Sequence, residues 1–481
     1  MVFTVAKIIF AILAIIGTTF LIPIGAAVLL GEYSEIPAFV VPMVASWIFA
    51  TVFLLVGRKK KAVLSSRAAF VSVALAWIAA CFFGLIPFYA NGGIPNLTDA
   101  FFESASGFTT TGATIVTEVE SLSRTVNLWR CQTHWLGGMG IIALTVALLP
   151  LLGVGGFQLI KAETTGPEKG KLTPKITTTA KMLWFMYLGM TIVETLLLKI
   201  AGMDWIDALS HSFATLGTGG FSTRNASVGA FNSAAIEWIC FAFMFLGGVN
   251  FSLYYYLLTR KFSEIAENSE LKLYVTINVV AIALITLIEL PDYGSFSASL
   301  RYSAFQTVSV LSTTGFATAD YTAWRPAAQA VIFALFFIGG SSGSTGGGIK
   351  VVRWLILAKQ LHNEIQKLLH PHGVFSIRLN KRAGRKDVVF SVAAFFFMYV
   401  ILLFVTTFFA CLFGLDLFSS FTGAMSMLGN VGPGFGALGP SNNYNFLAAP
   451  IKWCYSFAMV AGRLEFFTLI IFFSPAYWKK H

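Results

Sequence analysis

Charged residues are scarce in this chain: Asp, Glu, Lys and Arg together make up 11% of its 481 residues, against 56% that are hydrophobic. A soluble domain of that length could not hide so much apolar surface, so lipid must be the solvent for most of it. Cysteine is rare as well. The five present (Cys81, Cys131, Cys240, Cys411 and Cys454) are scattered through apolar stretches, with no CxxC or metal-spaced pair among them. Neither a disulfide framework nor a zinc site is suggested. The six histidines include no HExxH spacing, and no nucleophile–base set falls in the apolar stretches. An integral membrane enzyme is therefore disfavoured.

What charge there is lies in a pattern. The formal net charge of +11 gathers in a few linkers: Arg58-Lys59-Lys60-Lys61 with Arg67; Lys161, Lys169, Lys171 and Lys175; Arg260-Lys261; Arg378, Lys381, Arg382, Arg385 and Lys386; and Lys479-Lys480. Alternate linkers hold isolated cations such as Arg124, Arg224 and Lys452. This asymmetry follows the positive-inside rule rather than a nucleic-acid surface, and it predicts that the basic linkers and both termini are cytoplasmic.

A crossing helix needs about 20 apolar residues at 1.5 Å rise each. Ten stretches qualify, near 5–30, 36–57, 68–90, 126–153, 178–201, 234–258, 272–290, 325–358, 387–414 and 447–474. The first has no small-residue cleavage site and is expected to be a retained span, not a signal peptide. Between the third and fourth, and in each later odd–even pair, lies a short apolar run that ends in a Thr/Gly-rich or Asn/Gly-rich segment.

Those four segments are copies of one another. When Gly112, Gly220, Gly315 and Gly432 are superposed without gaps, Asp99-Ala100 falls on Asp207-Ala208 and Ser104 on Ser212. Phe102 falls on Phe305, Phe101 on Phe421, and Ser106 on both Ser309 and Ser426. Phe108 meets a leucine each time, at Leu216, Leu311 and Leu428. A pair of small residues then recurs in the following helix: Gly137-Gly138, Gly247-Gly248, Gly339-Gly340 and Ala461-Gly462. Taken alone, these pairs read as close helix packing. Such repetition decides architecture. It predicts an all-α membrane protein of ten transmembrane helices: two N-terminal helices in 1–62, then four helix–loop–helix repeats in 63–155, 156–262, 263–368 and 369–481.

Irregular backbone at membrane depth is tolerated only where it is buried or lines an aqueous path. Four such loops around one axis could present rings of carbonyl oxygens that replace a cation's hydration shell. Glycine at the anchor admits backbone angles closed to other residues and keeps side chains out of the path. The candidate filter residues are Thr110, Thr111 and Gly112; Thr218, Gly219 and Gly220; Thr313, Thr314 and Gly315; and Asn430, Val431 and Gly432. The short helices begin at Thr98-Asp99, Asp204, Ser295 with Ser297, and Asp416, residues suited to helix N-termini. Their partially negative ends would then face the path and favour cations.

The segments Phe102-Glu103-Ser104 through Thr109-Thr110-Thr111-Gly112-Ala113-Thr114, His211 to Thr223, Ser312 to Phe316 and Gly429 to Gly434 resemble the four filters of the Trk/Ktr/HKT superfamily of potassium transporters. The two extra N-terminal spans resemble its bacterial TrkH branch. The resemblance implies a potassium-uptake pore, with potassium ion as cargo, in the bacterial inner membrane. It also implies a homodimer in lipid and a cytoplasmic nucleotide-binding regulatory subunit of the TrkA/RCK kind. In this superfamily glycine at the anchors marks potassium selectivity, and serine at the first accompanies sodium permeation. Gly217-Thr218 stands where relatives often carry larger apolar residues. The potassium-binding subunit of an ATP-driven pump of the Kdp kind shares the repeat plan and is the competing reading.

The span near 325–358 is interrupted by Gly339 to Gly348, and glycine costs about 1 kcal/mol against alanine in a helix. A broken helix inside a bundle commonly lines a site or path. By resemblance, Gly343, Ser344, Thr345, Gly346, Gly347 and Gly348, with Lys350 near the end, form a gate beneath the filter. Arg463 lies inside the last span, where a charge costs about 2.5–3.5 kcal/mol on insertion scales and needs a partner. It reads either as an electrostatic barrier in the pore or as a structural group, paired with Glu465 or capping carbonyls. His134 and His211 are expected in packed membrane positions.

Overall fold

The computed structural model describes residues 2–56, 66–140, 176–373, 375–380, 382–383 and 386–470. The basic segments Arg58 to Lys61 and Lys161 to Lys175, together with Lys381, Arg385 and Lys479-Lys480, lie outside these residues. So do the predicted span portions 141–153 and 471–474.

Six of the ten expected spans are long apolar helices: Phe3–Leu30, Tyr33–Val56, Ala69–Ala90, Thr178–Ile200, Ser269–Tyr293 and Val388–Leu412. They are the two N-terminal helices and the first helix of each repeat. A short helix follows each of the last four, at Leu97–Phe108, Trp205–Leu216, Phe296–Leu311 and Leu417–Gly429. Its N-terminus is closed by a side chain, since the first-turn N–H groups have no carbonyl to bond within the helix. Asp204, Ser295 and Asp416 accept from the amides of Asp207, Ala298 and Ser419. In the first repeat the cap is Asn96 rather than the expected Thr98, whose amide is the donor. The Thr98 hydroxyl instead accepts from the Trp453 indole at 3.2 Å.

The expectation of unbroken second helices outside the third repeat needs correction. Among the described residues, every second helix stops within four residues of the recurring pair of small residues: Arg124–Gly138, Ala234–Gly247, Pro326–Leu335 and Ala449–Arg463, the last one residue beyond its pair. After Gly247 the chain turns by 94° into Phe251–Leu258. The cause is crowding by the neighbouring loops. A Cβ on Gly137 would lie under 3.0 Å from the carbonyl oxygen of Phe108, and one on Gly462 would meet that of Leu428 in the same way. The pairs are small because the second helix abuts the C-terminal end of the short helix, so the helix-packing reading holds with a specific partner.

The N-terminal helices pack on the first repeat, with the Phe20 ring edge-on to Trp129 at 4.7 Å. Trp129 in turn donates to the Gly84 carbonyl at 3.0 Å. One exception to the all-helical plan is a two-residue antiparallel pairing of Arg378–Leu379 with Arg382–Ala383 near the start of the fourth repeat.

Candidate ion-conduction site

Each short helix ends in the same backbone sequence. Thr110, Thr218, Thr313 and Asn430 all take the left-handed conformation, with φ of 56°, 51°, 61° and 53°. Their amides reach back to Gly107, Thr215, Val310 and Met427, and the next amides, of Thr111, Gly219, Thr314 and Val431, reach the carbonyls of Ser106, Ala214, Ser309 and Ser426 at 2.8–3.0 Å. This is the paired-bond stop of a Schellman cap, made in all four loops without the glycine that usually serves it. Left-handed threonine costs of order 1–3 kcal/mol, and such strain persists where surrounding structure over-determines it.

Two residues later the anchor glycines follow at φ of 81°, 82°, 82° and 101° for Gly112, Gly220, Gly315 and Gly432. A Cβ on Gly112 would collide with the carbonyl oxygen of Gly219, one on Gly220 with that of Thr314, one on Gly315 with that of Val431, and one on Gly432 with that of Thr111, each inside 3.0 Å. Each loop therefore touches the next, and the fourth returns to the first. The four loops form a closed ring, and all twelve candidate filter residues fall on it. All four anchors are crowded alike.

Side chains behind the ring hold it, and most were not singled out in the sequence. At one aligned position stand Glu103, His211, Gln306 and Gly423. Glu103 accepts from the Ile115 amide at 3.0 Å and the Thr114 hydroxyl at 2.9 Å. His211 Nε2 bonds the Ser222 hydroxyl at 2.8 Å, and Gln306 donates to the Ala319 carbonyl at 2.7 Å. In the fourth repeat the position is glycine, and a Cβ there would meet the Tyr455 hydroxyl at 2.6 Å. The bracing passes to Tyr444, which donates to the Gly432 carbonyl at 2.7 Å. Asn430 adds bonds from its amide nitrogen to Thr111 Oγ1 at 3.0 Å and the Met459 carbonyl at 2.9 Å.

His134 is buried, as expected, and its tautomer follows from its partners. Gly107 O can only accept, so Nδ1 carries the proton at 2.8 Å; the Phe221 amide can only donate, so Nε2 accepts at 3.1 Å. A neutral ring thus ties the end of the first short helix to the second loop.

The glycine-rich interruption folds back against this ring. Ser341 and Thr345 donate backbone N–H groups to the carbonyls of Gly248 and Gly247 at 2.9 and 3.3 Å. The Gly347 amide donates to Thr313 Oγ1 at 2.7 Å. A Cβ on Gly346 or Gly347 would strike the carbonyl of Ser312 or Gly429, at 2.7 and 2.5 Å. Gly343 bonds through its carbonyl to the Phe251 amide at 3.0 Å, and the Ser344 hydroxyl donates to Ser341 O at 2.6 Å. Gly348 is left-handed with φ of 78°, as is Lys350 at 80°, and the buried Lys350 ammonium donates to the Gly346 carbonyl. The loop thereby contacts the second, third and fourth repeats together.

Arg463 sits where the second helix of the fourth repeat, Ala449–Arg463, ends. Its guanidinium donates to Thr345 O at 2.8 Å, Gly137 O at 2.5 Å and Gly138 O at 2.8 Å. Of the structural partners considered from sequence, carbonyls are the ones these bonds show, while Glu465 pairs with Arg353 at 2.7 Å.

Comparison with known proteins agrees with this geometry. Residues 35–480 match the family model for TrkH, described as a cation transport protein. The chain is 39% identical over 449 residues to the "Trk system potassium uptake protein TrkH" of Halomonas elongata, covering 92% of each chain. It is 40% identical over 429 residues to the protein of the same name from Escherichia coli K12, covering 88% of each. It superposes on the crystal structure of the potassium transporter TrkH from Vibrio parahaemolyticus with a TM-score of 0.87 at 34% identity, over 100% of both chains. The ring of four loops, the glycine loop beneath it and these full-length likenesses lead to one conclusion: the chain belongs to the TrkH family of cation transport proteins.

Proposed function

We propose that this protein takes up potassium through a gated, channel-like pore whose selectivity filter is the ring of four loops. The observation that carries the reading is the ring: four loops of one backbone conformation, each glycine against the next loop's carbonyl. Carbonyl rings replace an ion's hydration shell. Glycine at all four anchors keeps that ring free of side chains, and relatives named as potassium uptake proteins match 92% and 88% of the chain. Nothing in these comparisons favours the Kdp-like reading.

In this account Thr110 to Gly112, Thr218 to Gly220, Thr313 to Gly315 and Asn430 to Gly432 hold the ion. Gly343 to Gly348 with Lys350 form the gate. Arg463 places a positive charge on the path below the filter while tying the gate to the first and last repeats. The Trk "system" in the relatives' names implies more than one component, which fits a cytoplasmic nucleotide-binding regulatory subunit. Two copies of the chain would make a homodimer in the lipid of a bacterial inner membrane, each with its own pore. Basic linkers put both termini in the cytoplasm, and the net positive charge then has no need of nucleic acid.

Purified protein in proteoliposomes loaded with potassium tests the proposal through uptake of tracer rubidium. Uptake blocked by external potassium far better than by sodium is expected. Folded protein that carries no rubidium, or is blocked equally by both ions, would refute it.

A further inference from the structure

The four loops meet at four seams, each held by its own bonds. Between the second and third loops the seam is the Gly229 amide to Ala317 O at 3.1 Å and the Ala317 amide to Ser227 Oγ at 3.2 Å. Between the third and fourth it is the Tyr321 hydroxyl to Gly434 O at 2.7 Å. Between the fourth and first it is the Tyr444 amide to Thr114 O at 2.8 Å, with the Asn430 bond below it.

The first and second loops are joined through Arg130, whose guanidinium is paired with Glu103 of its own repeat and reaches across to the second. Glu103 and Arg130 have side chains 0% and 1% exposed and lie 2.8 Å apart. Arg130 also donates to Asn127 Oδ1 at 3.0 Å, to Thr114 Oγ1 of the first loop at 3.1 Å, and to Ser222 O of the second at 3.2 Å. Its guanidinium lies 4.3 Å from the centroid of the Phe221 ring, next to the anchor Gly220. Glu103 meanwhile holds the Ile115 amide. One planar fork therefore fixes both loops just beyond their anchor glycines, a task a point charge could not do.

A buried pair of this kind is weak evidence for stability, because desolvation offsets most of the attraction. Its value lies in fixing geometry. The aligned position in the third repeat is Gln306, which braces its loop with a neutral amide. A neutral amide can thus brace a filter loop from this position, and the charge at Glu103 answers to Arg130.

We propose that Glu103 and Arg130 are positioning residues for ion selection: through Thr114, Ile115 and Ser222 they set the spacing of the first and second filter loops and hence the preference for potassium over sodium. The inference rests on the reading of the ring as a potassium filter.

The test uses full-length protein in planar bilayers, with reversal potentials under potassium and sodium gradients and with yield measured alongside. Glu103→Gln alone strands the arginine charge and should lower yield. The double variant Glu103→Gln with Arg130→Gln keeps net charge unchanged, so it should recover yield. Its potassium-to-sodium permeability ratio should still fall, by roughly two- to thirtyfold, the range in which mutations remote from a ligand shift its affinity. Restored yield together with a wild-type ratio would overturn the proposal, because a purely structural pair behaves that way. If the double variant does not fold, Arg130→Lys carries the test: it keeps the charge but lacks the fork, and an unchanged ratio again overturns the idea. Gly112→Ser in the same bilayers separates the two readings. If it too leaves the ratio unchanged, the filter assignment fails; if it alone shifts the ratio, only the positioning role fails.

Discussion

Arg463 donates to the carbonyl oxygen of Thr345 at 2.8 Å, so the second helix of the fourth repeat holds the middle of the glycine loop through a single guanidinium. On the proposed reading Arg463 has two separable effects, a positive charge on the path and a mechanical tie through this bond. A unit charge 4 Å from a passing cation is worth about 4 kcal/mol at an effective dielectric of 20. A hydrogen bond to a charged group contributes about 1.5–3 kcal/mol. Arg463→Gln removes both and should raise rubidium flux per folded molecule by tenfold or more, at about 1.4 kcal/mol per factor of ten. Arg463→Lys keeps the charge and loses the fork. Flux that stays low in the lysine variant assigns the effect to charge, and flux matching the glutamine variant assigns it to the tie. Unchanged flux in both would remove Arg463 from the pore.

The glycine loop is held from a second side by Glu270, whose Oε1 accepts from the amides of Ser342 at 2.6 Å and Val352 at 3.2 Å, one at each end of the loop. Glu270→Gln replaces a charged acceptor by a neutral one and should loosen the closed loop. Basal rubidium uptake in proteoliposomes should rise several-fold with assembly intact. Shortening the Gly343 to Gly348 segment should act in the same direction. Reduced flux from properly assembled protein in both variants would mean that the loop supports the filter rather than closing the path.

The small-residue pairs give a stability prediction with an internal control. A methyl on Gly137 or Gly462 meets a backbone carbonyl that has no room to move, whereas one on Gly25 or Gly189 has nothing within 4 Å. Gly137→Ala and Gly462→Ala should lower the unfolding temperature in detergent. Gly25→Ala and Gly189→Ala, both in helices, should be neutral or stabilising by about 0.5–1 kcal/mol. Equal effects at all four positions would contradict the packing described.

The ring was legible in the sequence because its cause is local. A short capped helix, a stop and a glycine recur in order, and ungapped alignment of Gly112, Gly220, Gly315 and Gly432 captures them. The breaks in the second helices were visible in only one repeat. There ten residues of Gly, Ser and Thr announce the interruption, while in the first and fourth repeats a pair of small residues meets a carbonyl at the end of the repeat's own short helix. The braces were hidden for a related reason. Glu103 and Arg130 lie in different elements, and His134 reaches a loop from another repeat. Nothing in linear spacing marks such partners. Arg463 could be flagged as a buried charge, but its carbonyl partners in Thr345, Gly137 and Gly138 exist only once three repeats are assembled.

The central claim is that four loops, each glycine against its neighbour's carbonyl, select potassium. Its most direct test is the reversal potential of the purified protein in a planar bilayer with potassium on one side and sodium on the other. The account predicts a potential close to the potassium equilibrium value for the wild-type chain and a shift toward sodium for serine at any of Gly112, Gly220, Gly315 or Gly432. A wild-type potential near zero, with the four serine variants unchanged from it, would contradict the account.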